Sequence, residues 1–172
     1  MDAYLDLKNL DKFTKQMKAN IEKHYAKVGV LSAKNNRADS ESGFGNAKLA
    51  AVHEYGSRDG RIPERSIFRL TADKRSEEMS AFIDSKQTQI LKDVTRGKIK
   101  DVYKMLGAKW MSFLFECFET EGFGTWPEIA DSTYWMKLER FEEMYPNSKK
   151  QFNPKILQDT GQLANSITYE VV

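Results

Sequence analysis

The sequence predicts a helix-rich α+β single domain with a small β-sheet, and three observations point there. Apolar residues recur at i, i+3 and i+4 in several separate stretches, the spacing of amphipathic helices. Two short β-prone stretches, Ala26 to Leu31 and Thr168 to Val172, lie far apart in the chain and could pair. No repeat or composition shift divides the 172 residues, a length that suits one compact domain spanning 1–172.

Residues 8–25 read as the first helix. Leu10, Phe13, Met17 and Ile21 fall on one face and Lys8, Lys12, Lys15, Lys18 and Lys23 on the other, with Asp11 and Glu22 among the lysines. The pattern then switches. Val28 and Val30 alternate with Lys27 and Gly29, which favours a strand. Residues 32–45 are rich in Ser, Asn, Asp and Gly and form a predicted long loop.

Asn46 to Ser57 reads as a short helix. Asn46 is placed to cap it, Leu49, Val52 and His53 share a face, and Gly56 sits where a left-handed residue ends a helix. Asp59-Gly60 is a turn dipeptide, and Pro63 suits the first position of a following helix. Four arginines, Arg58, Arg61, Arg65 and Arg69, surround this corner. Two readings of it stand. His53 or Tyr55 could anchor the corner through a buried hydrogen bond. Alternatively the corner faces a neighbouring subunit, with Arg61 and Arg65 the arginines expected to meet acidic side chains.

Met79, Phe82, Ile83, Ile90 and Val94 predict one helix near 75–95, and Thr95 to Lys98 a break. Val102, Leu106, Trp110, Phe113, Leu114 and Cys117 predict the strongest core helix, near 100–119. Trp110 is expected in the core, and Cys117 as a small buried hydrophobe. Gly122 to Pro127 reads as a turn, followed by a helix near 132–144 that Asp131 can cap. A polar loop near 145–154 comes next, then a helix of about two turns starting at Asp159-Thr160-Gly161.

Composition narrows the function classes. A net charge of +2 argues against a general nucleic-acid coat. The lone Cys117 allows no intrachain disulfide and fits a reducing compartment. The first residues lack the basic and apolar blocks of a signal peptide, and no apolar run approaches the ~20 residues needed to span a bilayer. His53-Glu54 lacks the second histidine of a His-Glu-x-x-His zinc site, because position 57 is Ser. No Gly-x-Ser-x-Gly elbow and no phosphate loop is present. No catalytic residue, metal ligand or cofactor site is therefore assigned.

Two blocks carry a family resemblance. The first is Ala50-x-x-His53-Glu54-Tyr55-Gly56-Ser57 followed by Ile62-Pro63-Glu64-Arg65-Ser66-x-x-Arg69. The second is Trp126-Pro127, then Thr133, Lys137 and Leu157-x-Asp159-Thr160-Gly161-x-Leu163-x-x-Ser166-Ile167. In this order, and with Val28 to Leu31 upstream, they resemble the virion-morphogenesis proteins of long-tailed phages, the tail-component, neck or tail-completion proteins. Where an aromatic-plus-aliphatic pair such as Phe-Leu is expected after Ser66, this chain has Ile67-Phe68.

The resemblance implies a non-enzymatic structural protein acting at the head–tail junction or the upper end of the tail. It implies a homo-oligomeric ring in the virion, other neck or tail proteins as partners, and contact with DNA in the channel. It places the protein in the virion, and in the host cytoplasm during assembly. It implies no membrane and no cofactor. The alternative function class is a nucleic-acid-binding accessory protein that uses the lysines of the first helix and the arginine corner.

Overall fold

A computed structural model describes residues 7–31, 34–35, 45–146, 151–158 and 161–172, with backbone only at 7–10. The elements in order are α1 (Leu7–Lys23), β1 (Ala26–Val30), α2 (Asn46–Tyr55), α3 (Phe68–Ser85), α4 (Gln87–Thr95), α5 (Ile99–Glu119), α6 (Asp131–Met144), α7 (Gln162–Ser166) and β2 (Ile167–Val171). The expected helix-rich α+β architecture is what the chain forms. Most of the predicted 32–45 loop, part of the 145–154 loop and Asp159-Thr160 lie outside the described residues, as do the side chains of Lys8 and Leu10.

The two distant β-prone stretches pair as predicted. β1 and β2 form an antiparallel two-stranded sheet in which Val28 faces Tyr169 and Val30 faces Ile167. Two strands alone are marginal in water and need a packed face. Here α5 lies across both strands. Gly107 permits that approach: a Cβ at this position would stand 2.5 Å from the Tyr169 ring.

The core gathers residues from the whole chain: Ile67, Leu114, Cys117, Phe118, Trp126, Ile156, Leu163 and Ile167. Each fully buried large side chain contributes roughly 1.5–3 kcal/mol of transfer free energy. Arg75 joins α3 to α5 through both oxygens of Glu116, and Lys109 reaches Glu78 at 3.0 Å while lying over the Phe113 ring.

Several boundaries differ from the sequence reading. The side-chain acceptor at the start of α2 is Asn35, whose Oδ1 takes the Ala47 N–H at 2.8 Å. Gly45 holds the N-cap position, and Asn46 donates to the Lys34 carbonyl. The helix expected from Pro63 begins at Phe68, because Arg65 and Ser66 are drawn into other contacts described below. The helix expected near 75–95 is two helices that meet at Lys86. Ala130 is the N-cap of α6, and Asp131 is its first residue. Trp110 lies on the correct face of α5 but is only half-buried, its ring edge-on to Phe113 at 5.8 Å. The bulk of an indole makes complete cover rare. Val102, Phe113, Leu114 and Cys117 are the buried part of that stripe, and Phe118 is buried beside them.

Candidate functional site

The corner is built around Glu54. It lies in the last turn of α2, a helix whose buried face is Asn46, Ala50 and Glu54, and it is only 5% exposed. Its carboxylate accepts from the Ser66 hydroxyl at 2.7 Å and from the backbone N–H groups of Ile67, Phe68 and Arg69 at 2.7, 2.9 and 2.9 Å. These are donors at the start of α3, a helix with no acidic residue in its own first turn. Glu54 thus caps a helix other than its own, and its charge meets the positive end of that helix dipole. Burial pushes the Glu54 pKa up, but the hydrogen bonds from Arg69, Phe68, Ser66 and Ile67 outweigh it and hold the group below its ordinary value.

The chain between the two helices is a closed loop. Gly56, at φ 73°, turns it, and a Cβ there would stand 3.1 Å from both the Ile62 carbonyl and the Glu64 nitrogen. The Asp59 carboxylate accepts from the Ser57 hydroxyl and the Arg61 N–H, and Ser57 Oγ accepts from the Ile62 N–H. The Arg65 N–H then returns to the His53 carbonyl at 2.7 Å.

The four arginines have four different surroundings. Arg58 is exposed. Arg61 is exposed and, among the described residues, forms an ion pair with Asp59 of its own loop, at 3.3 Å. Arg69 donates to the Glu54 carbonyl and to Glu64, both at 2.7 Å, and its guanidinium lies 4.9 Å from the Tyr55 ring centre. Arg65, expected to meet a partner, is turned inward and is 7% exposed. It donates from Nε to the Pro127 carbonyl at 3.0 Å and from Nη2 to the Glu128 carbonyl at 2.6 Å. A fixed planar fork suits two adjacent carbonyls, which a lysine could not bridge in the same way. The expected row of outward arginines is corrected accordingly: Arg58 and Arg61 face solvent, Arg69 is shared between solvent and its acidic neighbours, and Arg65 is structural.

The two blocks of the resemblance meet here. Trp126 donates its indole N–H to the Ser66 carbonyl at 3.0 Å and packs edge-on to Phe118 at 5.8 Å. Lys137, in the second block, donates to the carbonyls of Lys155 and Gln158. The same junction encloses a pocket of about 380 Å³ whose lining includes Leu49, His53, Arg61, Ile62, Ile129 and Lys137.

His53 is at the wall of this pocket. Among the described residues its Nδ1 is buried and has no hydrogen-bond partner. Burial, and then the nearby Arg65 charge, lower its pKa to about 4, so the ring is neutral near pH 7. Tyr55 is 68% exposed, so it is no buried anchor. Cys117 is fully buried, and burial raises its thiol to about 11, which leaves no thiolate for nucleophilic chemistry. Among the described residues no three His, Cys, Asp or Glu side chains come together as a metal site, and no helix is long and apolar enough to cross a membrane.

A pH effect follows from His53. Its folded pKa lies below the ordinary 6.5, so protons bind the unfolded chain more readily and stability falls as pH drops from about 6.5 to about 4. His53→Gln is expected to remove that slope in urea titrations run across this range. A slope identical to that of the unmodified protein would show that His53 does not cause it.

Sequence reasoning missed Glu54 and Ser66 as the hub. The available signal was a helix start, Ile67 to Leu70, with no acidic or capping side chain of its own beyond Ser66. Compared with known proteins, the chain matches no family model, no curated protein and no solved structure.

Proposed function

We propose that this chain is a non-enzymatic structural protein of a long-tailed phage, acting at the head–tail junction or at the upper end of the tail during virion assembly. The observation that carries the reading is a convergence. The two sequence blocks that resemble virion-morphogenesis proteins are about sixty residues apart, and they form one knot through Trp126, Ser66, Arg65, Pro127 and Glu128. The polar groups inside the knot are engaged in holding the backbone. Those left outside, Arg58, Arg61 and Tyr55, suit a contact between proteins.

The test is a charge reversal at the outward pair. Arg58→Glu with Arg61→Glu is expected to leave the thermal midpoint of the purified chain nearly unchanged, since both side chains are exposed. The same variant is expected to block incorporation into particles when it is the only copy supplied during phage growth. A well-folded variant that yields infectious particles at normal titre would remove the corner from the interface. Absence of the unmodified chain from purified virions and assembly intermediates would remove the function itself.

A further inference from the structure

Arg65 differs from the arginines around it in having no counter-charge. Arg61, Arg69 and Arg75 each pair with a carboxylate, those of Asp59, Glu64 and Glu116. Arg65 is 7% exposed, and its two side-chain hydrogen bonds go to the uncharged carbonyls of Pro127 and Glu128. Among the described residues it forms no ion pair, and its Nη1 makes no hydrogen bond. Carbonyl dipoles orient a guanidinium without cancelling its charge, and a buried cation is costly unless an opposite charge accompanies it.

Arg65 lines the pocket of about 380 Å³ at the junction of the two sequence blocks. Leu49, Ile62, Ile129, Leu157 and Leu163 give that pocket a largely apolar wall. Arg61 and Lys137 add positive charge, and among the described lining residues the one carboxylate is that of the exposed Glu128. His53 stands in the same wall, its carbonyl accepting from the Arg65 N–H at 2.7 Å. Its Nδ1 is buried and has no partner among the described residues. Two adjacent polar side chains, one charged and one neutral, are thus left incomplete by the groups this chain supplies. The volume falls within the range of about 300–1,000 Å³ that holds small organic ligands. It admits a side chain or a small molecule, but not a helix with its diameter of about 10–12 Å.

We infer that this pocket binds an apolar carboxylate: an acid group on a body the size of one leucine or phenylalanine side chain. The carboxylate supplies the counter-charge of Arg65 and accepts from its Nη1, and the exposed Arg61 guanidinium reinforces it from the rim. The body lies against Leu49, Ile129 and Leu163. An inorganic anion would meet the charge and leave the apolar wall uncovered, and an uncharged apolar molecule would do the reverse. This chemistry has two sources. One is a free organic acid. The other is the C-terminal residue of a polypeptide, whose side chain and α-carboxylate present the same two features. The site is argued from Arg65 and its pocket alone, so it does not depend on the assembly reading above.

The test titrates the full-length protein with isocaproate, a leucine-sized apolar acid, and follows the backbone amides by NMR. Isocaproate is expected to shift the amides of His53, Arg65, Ile129 and Thr133 and to saturate with a Kd of about 1 mM or tighter. Isocaproamide keeps the body without the charge, and acetate keeps the charge without the body. Each is expected to bind at least ~10-fold more weakly. Ala130 is exposed and lines the pocket, so Ala130→Leu is expected to fill the mouth and weaken isocaproate binding at least ~10-fold, with little change in urea midpoint. Arg61→Gln is expected to weaken the acid and leave the amide unchanged. Acetyl-Gly-Gly-Leu with a free carboxylate separates the sources. Binding as tight as that of isocaproate, or tighter, names a chain terminus; weaker binding names a free acid; either result upholds the site. The inference is overturned if isocaproate gives no saturable shift up to about 10 mM, far weaker than specific binding. It is also overturned if the amide binds as tightly as the acid, if the shifts cluster away from the pocket, or if Ala130→Leu binds isocaproate normally. Particle incorporation of the Arg58/Arg61 variant is read separately, so the assembly reading can stand or fall apart from this site.

Discussion

Glu54→Ala is expected to destabilise the protein by roughly 3–5 kcal/mol, the range for removing one partner of a buried, hydrogen-bonded charge network. The substitution strands the N–H groups of Ile67, Phe68 and Arg69 and the Ser66 hydroxyl in a site where water has little access. It also removes the carboxylate partner of the Arg69 guanidinium and the negative charge at the start of α3. Glu54→Gln keeps the shape but turns an NH2 toward groups that donate, so it should recover less than about half of the loss. The folded pKa of Glu54 is depressed, so its stabilisation is fully present above about 4.5 and is lost as pH falls through the lower folded value. Urea unfolding at pH 7 and through the acid range reads both effects. An Ala variant within about 0.5 kcal/mol of the unmodified chain would mean that the cap is not structural.

Which features were legible in the sequence follows from the range of the interactions behind them. The helices α1 and α5 and the Gly56 stop of α2 are local patterns, and they read correctly, but the apolar stripe of α1 is not a buried face, since Phe13 and Ile21 are 42% and 41% exposed. The pairing of β1 with β2 was also legible, because β-branched alternation is scarce in this chain and only two stretches show it. The break between α3 and α4 was not, since no Gly or Pro lies between Phe82 and Ile90 to mark it. Trp110 was placed on the right face and at the wrong depth, because helical spacing gives direction and not the extent of cover.

The site was harder to read for a related reason. A glutamate at a helix end and an arginine beside a serine both look like surface residues in one dimension. Their burial depends on partners twelve to sixty-three positions away in the chain. Glu54, Arg65 and Ser66 all lie within the first of the two resembling blocks, but the pattern gives none of them a job. His53 drew attention as a possible anchor or ligand, yet the neighbouring Glu54 is what organises the corner.

Arg65 gives the sharpest test of that distinction, because it was expected outside and is found inside. Arg65→Ala is expected to cost roughly 2–3 kcal/mol, from losing two charge-assisted hydrogen bonds and leaving the Pro127 and Glu128 carbonyls without their donors. Arg65→Lys should restore little, because an ammonium on a flexible stem cannot span two carbonyls that a planar fork holds at 3.0 and 2.6 Å. The loss should be local as well as global. Trp126 is tied to the Ser66 carbonyl beside Arg65, so amide exchange should rise first around residues 126–130 and at the start of α3. An interface arginine would behave oppositely, with unchanged denaturation of the isolated chain and impaired assembly alone. If Arg65→Ala unfolds at the same urea concentration as the unmodified protein, the clamp assignment is wrong and the original outward reading of Arg65 returns.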